Sequence, residues 1–579
     1  MTQLALTDEQ CKKAVAALRQ HKKIRTAAMK MQMAESTLKN RINTAVLRGM
    51  CERPVLKTLS ETDLIAVVNA MARHGKQVLA AAELNMQVST FRSRLLEAKR
   101  RGVVSTEQAE AVNTVLPENT IYVITSAQNA TAIHRPFWRS LQHYCRHRKA
   151  QLVVIPIRYR NPTSRWTKNQ ENDEWWAPDL VPHLFAGRVD LNDNLKLLAD
   201  IKVQPTASNP ISSFGSISGV SSGIIGHPKL ALTTVATHPN KLPKIMCTTG
   251  SVTVKNYTDT RSGKSGEFHH SFAALVVEIQ SPGTFHLRQL NAVRDGSFID
   301  LDKLYTKHGV KRAPPAAGLV MGDTHVLFAD PAVVKATFGS GGIVEVLRPK
   351  HLVWHDLLDF YSGTHHHRGN PFVQIAKHRA GINSVRREIE ATIAFMAKHT
   401  PIGTRNVLVP SNHHEHLDRW LRETDWRGDP ANAQFYLETA LELVRSAKMT
   451  AQKSEYLDPF HCWARRLLPP DTLKRTMLLS RNQGFSIRGI ECGFHGDLGV
   501  GGSRGSIQQY RRAGAKSVIG HSHAPGINEG CYQTGTNSFL ELEYNSGLSG
   551  WLQSDCVIYA NGKRSLINII KGEWRLPVT

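Results

Sequence analysis

No two cysteines in this 579-residue sequence are spaced as C-x-x-C; the eight stand at positions 11, 51, 145, 247, 462, 492, 531 and 556. Neither a zinc ribbon nor a disulfide framework is therefore indicated. Long apolar runs are missing too, which excludes a membrane-spanning helix and any membrane partner on that account. The opening MTQLALTDEQ lacks a basic start followed by an apolar core, so no secretory signal is expected and a cytoplasmic setting follows. Acidic residues are few: 48 Asp and Glu face 73 Lys and Arg, a formal charge of +25. That imbalance favours polyanionic partners, because each neutralised phosphate releases condensed counterions. Hydrophobic residues at 41% and charged residues at 21% give a globular balance and exclude a disordered chain. The length exceeds what one core organises, so two to four domains are expected.

What is present begins with a repeat. Residues 6–50 lie over residues 59–103 without a gap at a shift of 53 positions, pairing His21 with His74, Ala27-Ala28 with Ala80-Ala81, and Arg41 with Arg94. Each copy reads as three helices. The first follows a Thr7 or Ser60 cap, the second is short and Ala-rich, and the third opens at Ser36 or Ser89. The third helix carries Lys39, Asn40 and Arg41, or Arg92, Ser93 and Arg94. An Ala-Ala pair before a Ser-Thr-initiated basic helix resembles the helix-turn-helix of Fis-like DNA-binding regulators. The resemblance implies DNA contacts through those basic residues; two small helical bundles used for oligomerisation are the structural alternative, and a homo-oligomer is left open.

A linker is expected at 104–117. IYVITSA, HRPFWRSLQHYCRHRKA and QLVVIPIRYR then read as strand, helix and strand, a βαβ-like opening to an α/β domain over 118–310 whose role is open. After residue 315, five segments share one design, an apolar strand ending in Asp, Asn or His. They are AAGLVMGDTH, HLVWHDLLD, NVLVPSNHHEH, GIECGFHGD and KSVIGHSH. The helical stretches SVRREIEATIAFMAKH and PANAQFYLETALELVRSA separate the middle ones. Strands alternating with helices imply a layered fold that gathers strand-end residues on one edge. Carboxylates, an amide and imidazoles suit divalent metals, Mn²⁺ foremost, with Mg²⁺, Fe²⁺ or Zn²⁺ as alternatives.

In order, these segments resemble the D-x-H, G-D-x-x-D, G-N-H-[DE], G-H and G-H-x-H motifs of the calcineurin-like metallophosphoesterases, including the SbcD-type DNA nucleases, over residues 316–525. The resemblance implies two metal ions. Asp323, His325 and His523 would hold the first, Asp356 would bridge, and Asn412, His495 and His521 would hold the second. His413 would be the catalytic histidine, with Asp359 and Glu415 as orienters behind the ligands. His355 and Ser411 stand where the family has glycine, and His414 where it has an acid. The implied fold class is α/β: a two-sheet metallophosphoesterase sandwich flanked by helices (311–579), preceded by the α/β domain (118–310) and two all-α helix-turn-helix repeats (1–52 and 53–105).

YSGTHHHRGNP reads as a polar loop lining a DNA groove, with His365, His366, His367 and Arg368 near phosphates; three adjacent histidines cannot all face one ion in a strand. GDLGVGGSRGS lacks the Lys of a P-loop and reads as a surface turn. FLELEY and CVIYANGKRSLINII alternate as strands completing a second sheet. The function expected is metal-dependent DNA cleavage, similar in architecture to phage early proteins that degrade or process DNA. Alternatives are a phosphoesterase acting on nucleotides or phosphoproteins and a non-catalytic DNA-binding regulator.

Overall fold

A computed structural model describes the chain except residues 1–5, 22–23, 52–59, 75–76, 102, 104–115, 130, 158–175, 239–240, 452 and 578–579. It divides into two units, residues 1–106 and 107–579. Most of the expected linker, and the end of QLVVIPIRYR, lie outside the described residues.

The first unit holds α1 (Asp8–His21), α2 (Ile24–Lys30) and α3 (Glu35–Leu47), then α4 (Glu61–His74), α5 (Gln77–Glu83) and α6 (Val88–Arg101). Each later helix starts 53 residues after its counterpart, as Asp8 to Glu61, Ile24 to Gln77 and Glu35 to Val88 show. Thr7 and Gln10 satisfy each other reciprocally at 3.3 and 3.1 Å, and Ser60 and Asp63 at 3.1 and 3.2 Å. Both first helices thus open on capping boxes, which pair amides that the helix leaves without carbonyl partners. The Ala27-Ala28 and Ala80-Ala81 pairs are buried, and the facing Leu38 and Phe91 fill equivalent places in the two cores. The third helices begin at Glu35 and Val88, just before Ser36 and Ser89; Ala34, preceding α3, supplies no side-chain cap.

The second unit is mixed α/β with several sheets. The expected βαβ opening is present: strands Ile121–Gln128 and Gln151–Ile157 pair in parallel around the helix Arg135–Arg148. A six-stranded sheet runs Thr476–Leu478, Arg405–Leu408, His351–Trp354, Gly318–Val320, Ser554–Ile558, Arg564–Asn568. Its first four strands are parallel, Ser554–Ile558 runs antiparallel to Gly318–Val320, and Arg564–Asn568 antiparallel to Ser554–Ile558. A ten-stranded sheet contains Ile490–Glu491 and Lys516–Ile519 together with five strands between Arg188 and Thr248.

Three expectations are corrected here. The boundary at 310/311 does not separate two cores: one buried cluster joins Ile124, Leu275 and Ile224 to Val353, Val518 and Ile558. CVIYANGKRSLINII does form two strands, but they extend the sheet that carries Gly318–Val320 rather than a second one. FLELEY forms no strand; Phe539 and Tyr544 are exposed, and Glu543 accepts a 2.8 Å hydrogen bond from the Tyr361 hydroxyl. Its alternation has no neighbouring strand to pair with, so it remains a loop.

Candidate metal centre

Every one of the five apolar segments forms a strand, and each ends where its candidate ligand begins. Asp323 and His325 follow Gly318–Val320, Asp356 follows His351–Trp354, and Asn412 follows Arg405–Leu408. His495 follows Ile490–Glu491, and His521 and His523 follow Lys516–Ile519 in the other sheet. The centre therefore lies where carboxyl ends of strands from both sheets meet. Backbone pairing locks the first two loops together: Thr324, His325 and Val326 donate to the carbonyls of His355, Asp356 and Leu357 at 3.1, 2.7 and 3.1 Å.

The loops hold costly conformations. His325, Asp356, His521 and His523 have φ of 41°, 38°, 76° and 57°, in the left-handed region that side chains with a Cβ avoid. Four such residues at one spot concentrate backbone strain there. Gly520 is required by proximity, because a methyl there would overlap the Asp323 carboxylate. The Gly520 amide donates to the His495 carbonyl at 2.7 Å, tying the last two loops together.

Asp323, His325, Asp356 and His523 are all buried and offer ligand atoms within 4.8 Å of one another. His523 Nε2 lies 3.1 Å from Asp323 Oδ2 and 3.0 Å from His325 Nε2. His495 Nε2 lies 3.0 Å from Asp356 Oδ2, and its Nδ1 lies 3.9 Å from Asp323 Oδ1. The His521 ring stands 5.3 Å from that of His495, while its amide donates to Asp323 Oδ2 at 2.8 Å. Several polar atoms here are buried without a hydrogen-bond partner, among them Asp323 Oδ1, Asp356 Oδ1 and Asn412 Oδ1. Unpartnered buried oxygens are costly, and a cation is the partner that carboxylate and amide oxygens share. The residues fit a metal ion.

The electrostatics agree. Burial alone would raise the Asp356 carboxyl, yet the His495 and His413 charges outweigh it and hold the group well below the ordinary value. Asp323 is lowered in the same way, against burial, by His495 and His523. Burial lowers His495, but Asp356 and Asp323 lift it to about 9. His325 is pushed down to about 4 by burial and by His413, leaving it neutral and able to ligate.

His413 lies beside this cluster at the start of the helix Asn412–Glu423. Its Nδ1 donates to the Asp359 carbonyl at 2.8 Å and faces Asp359 Oδ1 at 3.5 Å. Burial would lower it, but Asp356 and Asp359 raise it to about 10. Asp359 is thus the group that orients His413. Glu415 is not: it is exposed and pairs with Arg481 at 2.9 Å. Two steps along an α-helix turn a side chain by about 200°, which carries Glu415 away from the face of His413. Of the departures from the family pattern, Ser411 caps this helix through the His414 amide. His414 is buried against Phe460, ring centroids 4.7 Å apart, and does structural work. Buried His355 places Nδ1 3.3 Å from that of His495.

A cleft of about 430 Å³ opens on Asp359, Asn412 and His413, and is walled by Tyr361, His366, His367, His416 and Tyr544. The three adjacent histidines form a 3₁₀ turn, not a strand, and His365 and His366 there meet His416 in a second group of potential metal donors. Arg368 donates to Thr424 Oγ1 at 2.6 Å and faces Glu423. His416 and Tyr544 were not singled out from the sequence; the spacing of His413 and His416, i to i+3 on one helix, was the available signal. Lys39, Asn40 and Arg92 are exposed, and Arg41 and Arg94 half-buried, on α3 and α6.

Among the described residues, no helix is long and apolar enough to cross a membrane. Fold and site together define a mixed α/β protein with a buried Asp/His cluster able to hold a metal ion. Over 466 residues the chain is 31% identical to Protein A1 of Escherichia phage T5, covering 78% of this chain and 82% of that protein. It belongs to the family of that phage protein. No family model matches the chain, and no solved structure matches it.

Proposed function

We propose that the chain is a two-metal phosphodiesterase of the calcineurin-like class that cuts DNA. One observation carries this reading: Asp323, His325, Asp356 and His523 converge, buried and with unpartnered oxygens, at strand ends of two sheets. Asp323, His325 and His523 would hold one ion, Asn412, His495 and His521 the other, with Asp356 shared; Mn²⁺ fits the mixed oxygen and imidazole donors best. When bound, such a pair lowers the pKa of a water and neutralises charge on the phosphoryl oxygens. The chain's own residues do the rest. Asp359 holds His413 in a protonated state at the cleft, where its Nε2 can give a proton to the leaving oxygen. His366 and His367 wall the same cleft and would face the flanking phosphates. The +25 charge and the basic residues of α3 and α6 make DNA the substrate of choice.

The test is incubation of the purified protein with circular and end-labelled linear DNA, with Mn²⁺ and with chelator. Cleavage that needs metal and disappears in Asp356→Asn is expected. Hydrolysis of a small phosphodiester or nucleotide without DNA cutting would move the substrate to small phosphoesters. DNA retention with no turnover of either would leave a non-catalytic regulator.

A further inference from the structure

A basic depression lies away from the candidate metal centre. A depression of about 740 Å³ is formed where the starts of the strands Lys516–Ile519 and Arg564–Asn568 meet the end of Thr284–Asn291. Lys516 opens the strand whose far end leads to His521, five residues on. At extended spacing the two lie roughly 15 Å apart. Lys255, Arg294, Lys516 and Lys563 all line the depression, and among the described residues none of the four has an acidic partner. Its one carboxylate, Glu529, is already committed to Lys229 at 2.8 Å, Arg511 at 3.4 Å and His269 at 3.6 Å.

Such crowding is unfavourable on its own. Burial, with Lys516 and Arg564 close by, pushes the half-buried Lys563 ammonium below its ordinary value. The floor is rigid: Arg564 donates to the carbonyls of Ser517 and Gly530 at 2.7 and 2.9 Å and lies 4.0 Å over the Tyr532 ring. At the rim, Phe268 is 81% exposed, an apolar ring that meets the neighbouring His269 ring edge-on, centroids 5.0 Å apart. Fixed cations without counter-ions, beside an exposed aromatic ring, match what binds a nucleic-acid strand through its phosphates and stacks a base.

We infer that this depression is a docking site for the phosphate backbone of DNA, separate from the catalytic cleft. The inference shares DNA as partner with the function proposed above but does not require cleavage, so binding is measured on the full chain in chelator. A labelled oligonucleotide is titrated by anisotropy across a range of salt. Lys516→Glu with Lys563→Glu is expected to weaken binding about tenfold and flatten the log Kd against log salt slope by roughly two. Lys516→Arg with Lys563→Arg should bind as the parent does. Lys311→Glu with Lys474→Glu, exposed lysines outside the depression, controls for net charge. Turnover of a small phosphodiester with Mn²⁺ should be unchanged in the Lys516 and Lys563 pair, which also reports that it folds. Equal losses in the two charge-reversed pairs would overturn the site. So would a loss of tripolyphosphate or ATP binding with DNA affinity untouched.

Discussion

His413 is the residue on which the proposed chemistry can be separated from metal binding. It is held by the Asp359 carbonyl and carboxylate, not by a ligand oxygen alone, so its removal should leave the ions in place. His413→Ala is expected to keep the Mn²⁺ stoichiometry of the parent while kcat on DNA falls about 10²-fold or more. The loss should shrink on a p-nitrophenyl phosphodiester, whose leaving group needs no proton. Calorimetric metal titration beside kinetics on both substrates checks this, and equal losses on both would remove the proton-donor role. A second residue, Asp555, tests burial instead. Its Oδ1 accepts from the Gly322 amide at 2.8 Å and from Asn537 at 3.0 Å, while burial raises the carboxyl from 3.8 to about 6. A carboxyl raised in the folded state stabilises fully below its unfolded pKa, and that contribution is lost as pH rises through 6. Asp555→Asn keeps both accepted hydrogen bonds and cannot ionise. Its stability should gain on the parent's as pH rises from about 4 through 6, by up to roughly 3 kcal/mol in all, with a flat difference above about pH 7. A constant difference across that range would show that Asp555 does not titrate on unfolding.

The elements that build the centre are short strands whose ends, not whose lengths, matter. Gly520 shows why. The loop after Lys516–Ile519 passes so close to the Asp323 carboxylate that no Cβ fits, and neither loop can retreat, since backbone hydrogen bonds tie both to their neighbours. Gly520→Ala is expected to lower metal affinity at least tenfold and to cost about 1–3 kcal/mol of stability through overpacking. Equilibrium dialysis and urea denaturation would register both, and parent-like affinity would show that the loop has slack. This is also where the sequence was most legible. A strand needs only its apolar run, so all five strands, the βαβ opening and the repeat of α1–α3 in α4–α6 could be read directly. Which loops interlock could not, because that depends on pairing between residues far apart in sequence. Glu415 was misplaced for a related reason: the family resemblance put it behind His413, but the helix that starts at Asn412 turns it toward Arg481. FLELEY alternates as a strand does, yet it forms a loop.

At the scale of the whole molecule, the candidate metal centre rests on a sheet that no short fragment contains. Its strand Lys516–Ile519 belongs to a ten-stranded sheet, half of which comes from residues 188–248. A buried charge network adds to the bond between halves. Arg288 reaches Glu278 at 2.9 Å and Asp300 at 2.9 Å, and Glu278 in turn accepts from the Leu576 amide at 2.9 Å near the carboxyl terminus. Cutting the chain at residue 311 would strand Leu232, Ile245 and Leu275 on one side and Val353, Val518 and Ile558 on the other, all members of one core. Each exposed side chain of that size forfeits about 1.5–3 kcal/mol, so a handful exceeds the net stability of an ordinary domain. A fragment of residues 311–579 should therefore fail to fold cooperatively, despite holding every candidate ligand. Residues 107–579 should melt in a single transition and bind Mn²⁺ with the stoichiometry of the full chain. Calorimetry and limited proteolysis of the two fragments decide it: a protease-resistant 311–579 fragment that binds Mn²⁺ would mean that the amino-terminal strands decorate the centre without supporting it.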